Sequence, residues 1–86
     1  MPLSILNPHV DPAHALREAI AAALPEAAVE VATGSPGHFQ IRVTSAAFRG
    51  KTMLQQQRLV YAAISHLMTG DGAPVHAIDR LQTLVP

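Results

Sequence analysis

One run of seven residues, His38-Phe39-Gln40-Ile41-Arg42-Val43-Thr44, alternates polar and apolar side chains without a break. It constrains the fold more than any other feature of the chain. Successive side chains on a strand point to opposite faces, so Phe39, Ile41 and Val43 share one face and His38, Gln40, Arg42 and Thr44 the other. A strand of this kind is buried on one side only, and the chain must supply something apolar to cover that side. Upstream, Val29-Glu30-Val31 repeats the alternation in shorter form, and Thr33-Gly34-Ser35-Pro36-Gly37 is a turn cluster. The two runs predict an antiparallel hairpin with one packed face and one open polar face.

The cover comes from two helical patterns. Asp11-Pro12 pairs a good N-cap with a residue suited to the first helical position, and a helix is expected from Pro12 to Leu24, where Pro25 stops it. Leu16, Ile20 and Leu24 form its apolar stripe, with Ala23 beside them. Thr52-x-x-Gln55 has the form of a capping box, so a second helix is expected from Met53 to about Met68. Its buried stripe reads Met53, Val60, Ala63, Ile64 and Leu67. Val75-His76-Ala77-Ile78 then predicts a third strand running less regularly to Leu84-Val85. The order is helix, strand, strand, helix, strand. A helix joining the last two strands favours a parallel pair with a right-handed crossover, so both helices should cover one face of a mixed three-stranded sheet. After Ile78 the apolar positions fall out of step, and a bulge near Asp79-Arg80 would restore the facing.

With 86 residues there is room for one small domain, read as residues 11–86 behind an extended lead-in over residues 1–10 that packs Ile5 or Leu6. A domain of this size buries only about 60–65% of its unfolded surface, so its apolar residues must share a single core. With 49% hydrophobic and 14% charged residues, the supply is adequate. The chain has no Cys. That excludes disulfides, a thiol nucleophile and a Cys-based zinc site, and an iron–sulfur cluster could be held only with thiolates from a partner. No apolar run approaches the length of a membrane span, and the first residues lack the features of a secretory signal. The expected location is the cytoplasm.

The formal net charge is zero, but Arg42, Arg49, Lys51 and Arg58 form a basic stretch with no acid among them. It is either a solvated edge or an anion-facing surface. Gly34-Ser35-Pro36-Gly37 has the letters of a G-x-x-G nucleic-acid clamp, but that clamp joins two helices, whereas this segment joins two strands and reads as a hairpin turn. Of the five His, His9, His14 and His66 read as solvated. His38 and His76 each open a strand after a Gly-containing turn; each alone reads as a surface or hydrogen-bonded His, and the two together at strand openings also admit the reading as metal ligands. Ser, His and Asp are nowhere drawn together by the pattern, so no catalytic residues are identified and the chain is not read as an enzyme.

Four blocks in order, Gly37-His38-Phe39-Gln40-Ile41, Phe48-Arg49-Gly50, Gln56-Gln57-Arg58-Leu59-Val60-Tyr61 and Val75-His76-Ala77-Ile78, resemble the BolA-like proteins. That family's pattern reads roughly S-H-F-x-V, F-x-G, a basic or Gln-rich stretch ending in V-Y, and I/V-H-A-L. The match spans residues 11 to about 80, and the short Gly-His-Phe hairpin looks most like the acid-resistance-type bacterial branch. Arg80 stands where an apolar residue is usual two positions after Ile78.

The resemblance implies an α+β, KH-like (class II) helix–strand–strand–helix–strand fold, in agreement with the reading of the residues. It implies an adaptor that binds a monothiol glutaredoxin and shares a bridging [2Fe–2S] cluster with it, in iron homeostasis and stress response. No cofactor is expected on the chain alone, which would be a monomer or a weak homodimer. Within that resemblance His76 is the ligand that carries over best, and His38 is the candidate second ligand. The alternative it implies is a DNA-binding transcriptional regulator using Arg42, Arg49, Lys51 and Arg58. Phe48-Arg49-Gly50-Lys51 occupies the turn where a KH domain places its G-x-x-G, and lacks the second Gly.

Overall fold

A computed structural model describes residues 11–86; the lead-in, with His9, Ile5 and Leu6, lies outside the described residues. Helix α1 spans Pro12–Ala23. The Asp11 carboxylate accepts from the Ala13 N–H at 3.1 Å, and Pro12 takes the first helical position. Leu24 leaves helical geometry just before Pro25, as the clash with a following proline ring requires. The inward stripe is Ala13, Leu16, Ile20 and Leu24. Ala23, expected beside that stripe, is exposed; Ala13, about two turns before Ile20, takes the small inward position.

Strands β1 (Ala28–Thr33) and β2 (His38–Thr44) pair antiparallel, with Val31 opposite Ile41 and Glu30 opposite Arg42. Phe39, Ile41 and Val43 are buried and Gln40 and Arg42 exposed, so the alternation sets the facing as expected. A one-residue slip would turn all three apolar side chains to water, and each is worth about 1.5–3 kcal/mol when buried. The chain then makes a 3-10 turn at Ala46–Phe48, which sinks Phe48 completely into the core.

Helix α2 spans Met53–Ile64 and is followed by a 3-10 turn at Ser65–Leu67, so the α-helix ends four residues before the expected Met68. Both halves of the capping box form: Thr52 Oγ1 accepts from the Gln55 N–H at 3.1 Å, and Gln55 Oε1 accepts from the Thr52 N–H at 2.9 Å. Val60 and Ile64 are buried as expected. Met53 is not; it is 57% exposed. The inward place at that end of the helix belongs to Gln56. Its amide nitrogen donates to the carbonyls of Phe48 (3.3 Å) and Lys51 (3.0 Å), and its amide oxygen accepts from Thr83 Oγ1 at 2.6 Å. A polar tie, not an apolar contact, anchors the first turn of α2, and Met53 is left across the sheet edge.

Strand β3 (Ala77–Leu84) starts two residues later than Val75 and pairs parallel with β2. The sheet order is β1-β2-β3. Phe39 sits opposite Ile78, but Gln40 sits opposite Arg80, so Asp79 is the extra residue of a bulge. The bulge returns Leu81 and Thr83 to the packed face opposite Ile41 and Val43. Leu16 and Ile20 of α1, Val60 and Ile64 of α2, Phe48, Val75 and the inward residues of β2 form one core, so both helices lie on the same face of the sheet. Among the described residues, no helix is long and apolar enough to cross a membrane.

Candidate functional site

The β1–β2 turn and the start of β3 meet at one end of the sheet. The turn is closed by the Gly34 N–H donating to the His38 carbonyl and the His38 N–H donating to the Ser35 carbonyl, each at 2.9 Å. Gly37 has φ +80°, a conformation that costs an L side chain energy and costs glycine none. Its carbonyl accepts from the N–H groups of both His76 (2.8 Å) and Ala77 (3.1 Å), which ties the segment before β3 to the hairpin.

The His76 ring lies directly against Gly37. A Cβ added to Gly37 would fall 2.6 Å from His76 Nδ1 and 2.7 Å from its Cγ. His76 is otherwise exposed. His38, half-buried at the start of β2, is the register partner of Ala77, the residue after His76. The structure therefore brings both sequence-predicted imidazoles to the same end of two neighbouring parallel strands, with Gly37 between them. His38 Nδ1 is 3.0 Å from Asp79 Oδ1. Asp79 was not among the candidate residues. The only sequence signal for it is the bulge, which leaves it on the polar side of β3 within reach of His38.

Imidazole nitrogen can replace thiolate on one iron of a [2Fe–2S] cluster. Two imidazoles at one exposed corner fit that part of a donor set, and a carboxylate on the far nitrogen of one of them is the usual outer partner of a ligating His. The chain has no Cys, and among the described residues no group of three or more His, Asp or Glu could hold a metal ion. The donor set fits a cluster whose thiolates come from elsewhere.

The basic residues separate. Arg42 lies on the open face of the sheet, where Nε donates to Gln82 Oε1 at 3.1 Å and Nη1 reaches Glu30 Oε1 at 3.4 Å. Arg49 Nη2 donates to the backbone oxygen of Pro86 at 3.4 Å. Lys51 and Arg58 flank a notch of about 260 Å³ with Gln55 and Leu59 on the first turns of α2. Lys51 and Arg58 are thus brought together, and Arg42 faces another surface. His14 and His66 are exposed, as expected, and border an Ala-lined groove between α1 and α2.

Comparison with known proteins matches residues 19–86 to the family model described as BolA-like protein. A BolA-like protein 1 of Bos taurus is 46% identical over 48 residues, which is 56% of this chain and 33% of that protein. The chain thus spans about a third of the length of the curated relatives it matches. Among solved structures, a BolA homologue from Coxiella burnetii is 32% identical and superposes with a TM-score of 0.69 over 95% of this chain and 94% of that one. BolA1 from Mus musculus is 28% identical with a TM-score of 0.70, covering 100% of this chain and 74% of that one.

Proposed function

Because the chain belongs to the BolA-like family, we propose that it is an adaptor that binds a monothiol glutaredoxin and shares a bridging [2Fe–2S] cluster with it, serving iron–sulfur and iron homeostasis under stress rather than catalysing a reaction. The observation that carries this reading is the pair of imidazoles, His38 and His76, at the exposed corner where β2 and β3 begin. His76 is the principal ligand and His38 the second. The cluster supplies an electron-accepting centre whose potential rises when imidazole replaces thiolate. The chain's own part is to hold two neutral nitrogen donors at a rigid corner. Gly37 fixes the segment bearing His76 through its carbonyl, and pairing with Ala77 fixes His38 at the start of β2.

The test mixes the protein with a monothiol glutaredoxin, iron, sulfide and glutathione, and records visible absorption and circular dichroism. A spectrum absent from either protein alone is expected. His76 is exposed and its side chain supports no part of the core, so His76→Ala should fold normally. It should change the spectrum of the mixed cluster or shorten its lifetime, and His38→Ala should do so to a smaller degree. An identical, equally stable cluster with His76→Ala would remove the ligand assignment.

The second reading, nucleic-acid binding, is favoured by one observation: Lys51 and Arg58 flank a single notch, with Arg49 in the preceding turn. Such a surface contacts phosphates and carries little base specificity.

A further inference from the structure

Asp79 is the extra residue of the β3 bulge. In a regular parallel ladder the residue after Ile78 would stand opposite Gln40. Here Arg80 takes that place, and Asp79 and Arg80 are both exposed. Asp79 thereby has no register partner on β2, and its carboxylate meets His38 Nδ1 at 3.0 Å. These two residues are 41 positions apart in sequence, and each is held by the sheet itself: His38 by its pairing with Ala77, Asp79 by its place between two paired residues.

A carboxylate is acceptor-only, so the group facing it on a neutral imidazole must be an N–H. A neutral ring that carries its proton on Nδ1 has a bare, accepting Nε2. We propose that Asp79 is a positioning residue for His38: it holds the ring in the Nδ1–H form and turns Nε2 outward as the donor atom. The proposal rests on the functional reading above and deepens it, because it names which nitrogen of His38 is offered and what fixes it. It also explains what the bulge contributes beyond refacing Leu81: it places an acid beside the second ligand. His76 reaches its orientation differently, through the space left by the missing Cβ of Gly37. The two imidazoles are set by two independent devices, and the loss of one should leave the other intact.

The first measurement needs no cluster. Nitrogen-15 correlation spectra of the imidazole rings, recorded at about pH 8 where imidazoles are mostly neutral, report which ring nitrogen carries the proton. In the unaltered protein His38 is expected in the Nδ1–H form. Asp79→Ala should move it toward the Nε2–H form while the His76 ring keeps its signals. Asp79→Asn retains an acceptor oxygen and should keep the Nδ1–H form. Asp79 is exposed, so the backbone spectrum should show an unchanged fold for both variants. An unchanged His38 tautomer in Asp79→Ala overturns the proposal.

The second measurement uses the mixed cluster with a monothiol glutaredoxin. Asp79→Ala should shorten its lifetime about ten-fold, in the range found for outer partners of ligating His, and Asp79→Asn should restore most of it. A tautomer shift with no change in cluster lifetime overturns the positioning role. Failure of the functional reading looks different: the unaltered protein forms no mixed cluster with the glutaredoxin, and the tautomer comparison then decides the orientation of His38 by itself.

Discussion

Gly37 meets two demands that no other residue type meets together. Its φ of +80° lies in the left-handed region, and the volume its side chain would fill is taken by the His76 ring. Gly37→Ala should therefore destabilise the domain by about 1–2 kcal/mol, from backbone strain and from displacement of the ring. The same substitution should shift the ring resonances of His76. Gly34→Ala is the control, since an added Cβ there meets nothing nearer than 3.6 Å. Chemical denaturation of the two variants side by side checks the difference. The sequence marks both glycines as turn residues but does not tell them apart, because the contact that does so comes from a residue 39 positions further along the chain. Glu26 is a similar case. Its carboxylate accepts from Ser45 Oγ at 2.9 Å and from the Ala46 N–H at 2.9 Å, and so locks the start of the Ala46–Phe48 turn to the connection between α1 and β1. In the sequence it is one acid among several after a proline.

At the level of elements, local chemistry was legible wherever a device is contained in a few consecutive residues. Thr52 and Gln55 satisfy each other's amide groups within one turn, and the structure shows both bonds. Thr52→Ala should lower stability by about 1 kcal/mol, the usual cost of losing such a cap. Gln55→Ala should cost less, because it leaves the Thr52 bond in place. Urea melts of both variants test the order, and equal or absent effects would mean that α2 is held by tertiary packing alone. The hairpin was legible for the same reason: alternation at period two over seven residues has no helical counterpart. The bulge was legible as a conflict between the apolar positions Ile78 and Leu81, and it falls at Asp79. What failed was the first turn of α2. Periodicity puts Met53 on the buried stripe, but burial there depends on what stands opposite. What stands beside it is Thr83, whose hydroxyl donates to Gln56 and also lies 3.4 Å from Met53 Sδ. A hydrogen-bonded pair from two distant elements displaced an apolar contact, and no single-segment pattern carries that information.

Across the whole molecule, the balance of six basic and six acidic residues conceals two surfaces of different character. On the open sheet face Arg42 is engaged by Glu30 and Gln82, so its charge is partly answered from within the fold. At the N-terminal end of α2, Lys51 just before the helix and Arg58 on it border one notch, and neither has an ion-pair partner among the described residues. This division decides how any binding of nucleic acid should respond to salt. Each phosphate neutralised releases condensed counterions, and the slope of log affinity against log salt is about −0.9 per contact on duplex DNA. Replacing Lys51 and Arg58 together by Gln should therefore make the slope shallower by roughly two contacts' worth, close to 1.8 in magnitude. Arg42→Gln should leave it nearly unchanged, because that guanidinium already faces an acid on another surface. Titrating a fluorescent duplex at several salt concentrations gives both slopes. A slope that falls with Arg42 and stays constant without Lys51 and Arg58 would move the binding surface to the open face of the sheet, and a slope that none of the three alters would remove this charge arrangement as the source of any binding.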